Sequence, residues 1–506
     1  MRSNVGGILA LVERVGNRLP DPATLFAIGC AVVLVASAIA SGAGWSVAHP
    51  TQTGTSVQAT NLLSSDGLRW IWLNAVKNFI EFKPLGVVLV AMLGIGVAER
   101  SGLFGAILKL LVLATPQRLL TPAVVFAGVM SSAAADAGYV ILPPLAAAVF
   151  AKAGRAPLAG LAAVTFGIAG GFSANLLLTS LDPLLQGITL QAARLIDPNA
   201  VVRVDCNWYF MIASTFMLTL LGWCVNAWMI EPRFSGAVVQ AQVARAGYEG
   251  AAAEGLDASE RRGIVAAAIA AMIVLGVVAA SIALPGWPLY GEAEVAPGRV
   301  GPVWAEALVP ILFVGFLVPG IAYGIAAGTV RSDRDVSRSM TETMAAMGSY
   351  LVLAFFAGQF VKWLEKSNLG LMIAVEGIDV LKPLEGSEPV LLPAIVVLVA
   401  CVNLVMSSAS AKWLAIAPVL VPLGMGLGIS PELMQATYRV GDSVTNPIAP
   451  LNVYLPIVLL AIRRYAPEAG LGTIIALLLP YSIAALLTWT AFLVAWVELG
   501  IPLGPG

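Results

Sequence analysis

Apolar residues fill long unbroken stretches of this chain, and the polar positions gather in short segments between them. A helix needs roughly 20 consecutive apolar residues to cross a bilayer. The segment IVAAAIAAMIVLGVVAASIAL at 264 to 284 and the run from Ile474 to Val497 meet that length. Further runs at 23 to 40, 84 to 98, 208 to 230, 303 to 328 and 341 to 364 predict other spans. Lys and Arg near span ends tend to stay on the cytoplasmic side. Their placement predicts a cytoplasmic N-terminus, an extracytoplasmic C-terminus and a polar extracytoplasmic loop over 41 to 83.

Some apolar segments are too short or too interrupted to cross. LFGAILKLLVLA carries Lys109 and reads as an interfacial helix. Residues 119 to 150 carry cationic residues at both ends and a polar tip, VMSSAAADAGYVILPP, which predicts a re-entrant hairpin with Asp136 near its tip. A long segment over 157 to 190 follows, interrupted by GIAGGFSAN. The second half repeats this plan. A short amphipathic piece at 370 to 383 precedes a hairpin at 389 to 426 with the tip VMSSASAKWLAIAPVLVP, and a segment over 431 to 462 is broken at GDSVTNPIAPLN. Aligning VMSSA on VMSSA places Asp136 opposite Lys412.

The predicted organisation is a first span and loop (1–83), a first repeat (84–230), a cytoplasmic loop with connecting spans (231–340) and a second repeat (341–506). An odd number of crossings separates the repeats, so they run in opposite senses. The fold class is an all-α integral membrane protein: an inverted-repeat secondary transporter with about nine transmembrane helices and two re-entrant hairpins.

Composition agrees with the pattern. Hydrophobic residues make up 59% and charged residues 11% of the 506 positions, where soluble proteins carry about 25% charged residues. A net charge of −1 with no basic tract leaves nucleic-acid binding without support. Cys30, Cys206, Cys224 and Cys401 stand at unrelated spacings, which supports neither a disulfide framework nor a zinc site. The single histidine, His49, falls in the polar loop, so no intramembrane histidine relay is expected. The long apolar run after Pro22 reads as an uncleaved first span.

Inverted-repeat transporters bind substrate and coupling ion near the midplane, where broken helices expose backbone groups. Candidate cation oxygens come from Ser131, Ser132, Ser173, Ser407, Ser408, Ser443 and Thr445, with Ser410 nearby and amides from Asn175 and Asn446. Such oxygens suit a hard cation such as sodium; equally, they cap broken helices. An unpaired intramembrane charge costs at least about 2.5–3.5 kcal/mol, which singles out Asp182, Arg439 and Asp442. Arg439 and Asp442 stand three apart on one helix, a spacing at which they can pair. The functional reading gives Asp442 to a cation or proton and Arg439 to a substrate carboxylate; the alternative is a structural ion pair. Asp182, before Pro183, is also placed to cap a restarting helix. Asp136 and Lys412 form a candidate charge pair across the repeats. Trp413 offers a flat surface for an aromatic ligand or simply packs in the interior.

The segments SSAAADAGYVILPPLAAAVF, GRAPLAGLAAVTFGIAGGFSANLLLTSLDPLL and YRVGDSVTNPIAPLN together resemble the AbgT family of p-aminobenzoyl-glutamate transporters. The resemblance covers nearly the whole chain. It implies an ion-coupled carrier in the inner (plasma) membrane, forming a homodimer with a water-filled bowl. It also implies p-aminobenzoyl-glutamate, an aromatic carboxylate, as substrate class, with export of sulfonamide antimetabolites in some members. The family's functional positions look to fall on Asp182, Trp413, Pro431, Arg439, Asp442 and Pro450, all present here. No cofactor is implied beyond a possible sodium ion. Two other readings stay open: a sodium-coupled dicarboxylate carrier, which shares the hairpin plan, and an intramembrane hydrolase using paired aspartates.

Overall fold

A computed structural model describes residues 22–48, 56–134, 137–245, 255–296, 299–381, 388–406, 408–452 and 454–505. Asp136, Ser407 and His49 lie outside the described residues. Helices dominate, and the only strands among the described residues form two short antiparallel pairs, β1 (Ser46–Ala48) with β2 (Ser56–Gln58) and β3 (Glu292–Ala296) with β4 (Arg299–Pro302). Eight of the described helices are long and apolar enough to cross a membrane, or up to ten if each of two bent pairs counts as one span. The expected nine or so fall within that range.

The first half comprises α1 (Pro22–Gly42), α2 (Ser65–Ile80), α3 (Lys83–Arg100), α4 (Leu103–Leu113), α5 (Leu120–Met130), α6 (Ala137–Lys152), α7 (Pro157–Gly170), α8 (Leu181–Ala193) and α9 (Trp208–Val225). The loop predicted over 41 to 83 is corrected: its second part is the helix α2, capped by Ser64 Oγ, which accepts from Gly67 N at 3.1 Å. Asp66, Arg69, Asn74 and Lys77 interrupt its apolar run and hid the helix. Its apolar residues Trp72, Leu73, Val76 and Ile80 are exposed, as a lipid-facing surface requires.

After α9 come α10 (Gly236–Arg245), α11 (Ala258–Ala283), α12 (Leu308–Ala327) and α13 (Asp333–Ala346). Asp257 caps α11 and accepts from Ser259 Oγ at 2.6 Å and Glu260 N at 2.7 Å, hydrogen bonds that hold its carboxyl below the usual range. The second half continues with α14 (Gly348–Ser367), α15 (Leu369–Leu381), α16 (Glu388–Val405), α17 (Ala409–Gly426), α18 (Pro431–Thr445), α19 (Leu455–Arg463) and α20 (Leu471–Glu498).

Helix α4 turns by 114° into the segment that contains α5, so the short Lys109 helix does not continue into the hairpin arm. The arm α5 ends in a tight turn, Ser131–Ala134, before α6 begins. In the second repeat, α16 and α17 are separated only by residues 406–408. Each of α7 and α18 then stops short, at Gly170 within GIAGGFSAN and at Thr445 within GDSVTNPIAPLN, and resumes as α8 or α19.

The repeats interlock. The second hairpin arm of one half packs on the resumed helix of the other, α17 on α8 and α6 on α19. Tyr139 and Tyr454 stack at the second of these contacts, 4.1 Å between ring centroids. Glycine permits the closest crossings. A Cβ on Gly167 of α7 would stand 2.4 Å from Val125 O of α5, and one on Gly441 of α18 would stand 2.7 Å from Val396 O of α16. Small residues at such crossings let backbones approach where no hydrophobic drive exists between helices in lipid.

Candidate functional site

Helix α18 is the centre of the molecule: all its residues from Leu433 to Thr445 are buried. A polar helix is admitted to the interior only when its polar groups find partners there. Ser430 Oγ caps it by accepting from Leu433 N at 3.2 Å, and Pro431 sits in the first turn, where its missing N–H costs nothing. Its polar residues Gln435, Tyr438, Arg439, Asp442, Ser443 and Thr445 are presented toward both repeats.

The predicted pair between Arg439 and Asp442 is not formed. Arg439 Nη2 donates to Asp182 Oδ1 at 2.7 Å, and Lys412 Nζ stands 2.5 Å from Asp442 Oδ1. The reason is angular. Three residues of α-helix leave roughly 60° between side chains, so Arg439 faces α8 of the first repeat while Asp442 faces the tip of the second hairpin. Lys412 is thereby paired with Asp442; the partner expected from the sequence, Asp136, lies outside the described residues. The four side chains are at most 2% exposed, and their charges cancel.

Asp182 has two tasks. Its Oδ2 accepts from Thr179 N at 2.6 Å and Thr179 Oγ1 at 3.0 Å, tying the start of α8, while Oδ1 holds the guanidinium. Arg439 Nη1 meets Met211 Sδ at 3.3 Å, and Arg439 Nε has no partner among the described residues. The fork is therefore only partly satisfied. Asp442 Oδ2 and Ser443 Oγ are likewise buried without partners among the described residues. Leaving such an atom buried without a partner costs about 1–3 kcal/mol, and three of these atoms stand on α18.

Trp413 is fully buried. Its ring stacks on Tyr438 at 4.4 Å between centroids, and its Nε1 donates to Thr189 Oγ1 at 2.9 Å. In this conformation the indole face is covered by the protein's own tyrosine. Thr189 also accepts from Gln435 Nε2 at 2.8 Å, and Gln435 Oε1 accepts from Asn207 Nδ2 at 2.7 Å. This chain of hydrogen bonds joins α8, α17, α18 and the start of α9.

The polar tips behave differently in the two repeats. Ser131 Oγ and Ser132 Oγ donate to Gly128 O at 2.6 Å and Val129 O at 3.0 Å, which ends α5. Asn175 Nδ2 donates to Ser132 Oγ at 2.9 Å and so fastens the break after α7 to the hairpin; Ser173 is buried in the same break. In the second repeat, Ser408 caps α17 and lies 3.4 Å from Ser410 Oγ. Asn403 Nδ2 lies 2.7 Å from Asp442 O, 2.9 Å from Thr445 Oγ1 and 2.9 Å from Asn446 Oδ1, while Lys412 Nζ donates to Asn403 Oδ1. Pro447 is buried in the turn that ends α18, and Pro450 follows in the unwound segment.

Thr179, Thr189, Asn403, Gln435 and Tyr438 were not singled out from the sequence. The signal for the last two was available, since Gln435, Tyr438, Arg439 and Asp442 recur at helical spacing. Asn403 stands alone in an apolar run and Thr189 lies between Gln186 and Gln191 with nothing to distinguish it, and the fold reveals what they meet.

Comparison with known proteins places this arrangement. The AbgT putative transporter family model matches residues 7–506. The p-aminobenzoyl-glutamate transport protein of Escherichia coli (strain K12) is 37% identical over 513 aligned residues, covering 100% of this chain and 97% of its own. The Alcanivorax borkumensis YdaH transporter superposes with a TM-score of 0.87 at 42% identity, over 96% of this chain and 100% of that one. Neisseria gonorrhoeae MtrF, described as illuminating a class of antimetabolite efflux pumps, superposes with a TM-score of 0.90 at 40% identity, over 99% of each chain. The interlocked repeats and the buried charges on α18 thus stand in a chain that belongs to the AbgT family of membrane transporters.

Proposed function

We propose that this transporter moves p-aminobenzoyl-glutamate and sulfonamide-type antimetabolites across the plasma membrane, driven by a cation or proton gradient. It works as a homodimer, with its N-terminus cytoplasmic and its C-terminus extracytoplasmic. The observation that carries the reading is the buried, partly satisfied guanidinium of Arg439, held by a carboxylate from the other repeat. A planar fork in a dry site suits a carboxylate ligand, and the glutamyl end of the substrate supplies one. The substrate carboxylate takes the place of Asp182 at the fork, and the Trp413–Tyr438 pair provides aromatic surface beside it.

In the present conformation Asp182, Arg439 and Trp413 are sealed from both sides. Access therefore requires α8 and α17 to part from α18, which fits a carrier with a gated central site. The coupling ion acts at Asp442, where Ser443, Thr445, Asn446 and Asn403 add oxygens, with Ser131, Ser132, Ser173, Ser407 and Ser408 as further candidate cation oxygens.

Uptake of labelled p-aminobenzoyl-glutamate into proteoliposomes tests the substrate. Saturable uptake, displaced by unlabelled p-aminobenzoyl-glutamate and by a sulfonamide but not by succinate, is expected. Preferential displacement by succinate contradicts the reading and points to a dicarboxylate carrier.

A further inference from the structure

We infer that Lys412 is a tethered competitor of the coupling cation, occupying Asp442 when the cation is away and yielding it when an alkali cation such as sodium binds. The inference rests on the reading that a cation gradient drives transport.

Three observations carry it. Lys412 Nζ holds two oxygens that a hard cation uses: it stands 2.5 Å from Asp442 Oδ1 and donates to Asn403 Oδ1, while the amide nitrogen of the same Asn403 donates to Thr445 Oγ1 and Asn446 Oδ1, which brings two more oxygens to the neighbourhood. Asp442 keeps a second oxygen, Oδ2, buried without a partner among the described residues, and Ser443 Oγ beside it is in the same condition. The ammonium thus satisfies the site only in part, and an ion with more coordination positions gains what the lysine leaves unmade.

The third observation is the placing of Lys412 on its helix. It lies in the first turn of α17, where its backbone N–H bonds Ser408 O at 3.0 Å. The positive end of the helix dipole lies there, and cations are favoured at the opposite end. A lysine selected only to neutralise Asp442 gains nothing from that position. One that must leave its carboxylate is helped by it, because the dipole weakens its hold, and its four-carbon stem lets the charge withdraw while α17 stays in place.

Competition of this kind sets the affinity for sodium. It also keeps Asp442 from remaining a bare buried anion in the empty carrier. The empty and loaded forms then carry comparable charge at the centre.

Thermal unfolding of the detergent-purified full chain, titrated with sodium chloride against choline chloride at constant ionic strength, tests the inference. Lys412→Met is expected to lower the midpoint of sodium stabilisation at least tenfold relative to the wild type. Lys412→Met combined with Asp442→Asn is expected to abolish it. Equal midpoints in wild type and Lys412→Met, or no sodium effect in Lys412→Met, overturn the inference. Should Lys412→Met lose its fold when extracted in choline, sodium present during extraction recovers monodisperse protein on this account. Failure of sodium to do so overturns it as well. Proton-driven uptake of p-aminobenzoyl-glutamate by the wild type would survive either failure, which separates this inference from the substrate assignment.

Discussion

Arg439 Nη2 reaches Asp182 Oδ1 at 2.7 Å across 257 residues of sequence, joining a helix of the second repeat to the restart of a helix in the first. The bond closes the central site, and it also fixes how the two halves meet. A group that replaces Asp182 at the guanidinium therefore loosens the contact between repeats at the moment it binds.

Removing one partner of a buried pair strands the other. Asp182→Asn and Arg439→Gln are each expected to lower stability by about 3–5 kcal/mol, and the double variant to lose clearly less than the sum. Chemical unfolding in detergent of the four proteins measures the coupling. Strict additivity would remove the pair from the energetic account.

Arg439→Lys keeps the charge and removes the fork. Binding of p-aminobenzoyl-glutamate to this variant is expected to weaken at least tenfold while its unfolding temperature falls by only a few degrees, since a lysine still reaches toward Asp182. Isothermal calorimetry beside thermal unfolding separates the two effects, and unchanged affinity would strip Arg439 of its role toward the carboxylate. Arg439→Ala is less informative, because Asp182 then lies buried without its cation and folding suffers together with binding.

Thr189 accepts from both Trp413 and Gln435. Thr189→Val leaves two buried donors without an acceptor, at about 1–3 kcal/mol each, whereas Trp413→Phe removes one hydrogen bond worth about 0.5–1.5 kcal/mol and keeps the stack on Tyr438. Thermal unfolding should therefore rank Thr189→Val as the more damaging change. The reverse order would mean that the indole acts mainly through its volume.

The crossing of α18 on α16 depends on Gly441, where a Cβ would stand 2.7 Å from Val396 O. Gly441→Ala is expected to destabilise by about 1–3 kcal/mol, the usual effect of overpacking, and to displace Asp442 next to it. Sodium-dependent stabilisation of this variant should weaken in step with its unfolding temperature. Retention of both would show that the crossing has room to spare.

Much of this was legible in the sequence, for identifiable reasons. The interrupted segments at Asn175 and Asn446 announced themselves because clustered glycine, serine, asparagine and proline break the apolar runs there. Asp182, Arg439 and Asp442 stood out because charge in such runs is costly. Their partners were not legible: the short-range rule favoured Arg439 with Asp442, while the fold sends the two side chains to different repeats. Lys412 was assigned to Asp136 by the symmetry of the two tips; Asp136 lies outside the described residues, and the Lys412–Asp442 pair on the adjacent helix was not foreseen. Helix α2 was missed because its polar residues, read without a fold, looked like loop composition.

The central claim is that the sealed site on α18 belongs to a carrier that couples an ion gradient to the movement of an aromatic carboxylate. Proteoliposomes containing the purified chain, loaded with p-aminobenzoyl-glutamate under separately imposed sodium and proton gradients, test it most directly. Accumulation above the equilibrium level under at least one gradient, lost on its collapse and lost in Arg439→Lys, is the predicted result. Equilibration to equal concentrations regardless of any gradient, or uptake by Arg439→Lys equal to the wild type, would contradict it.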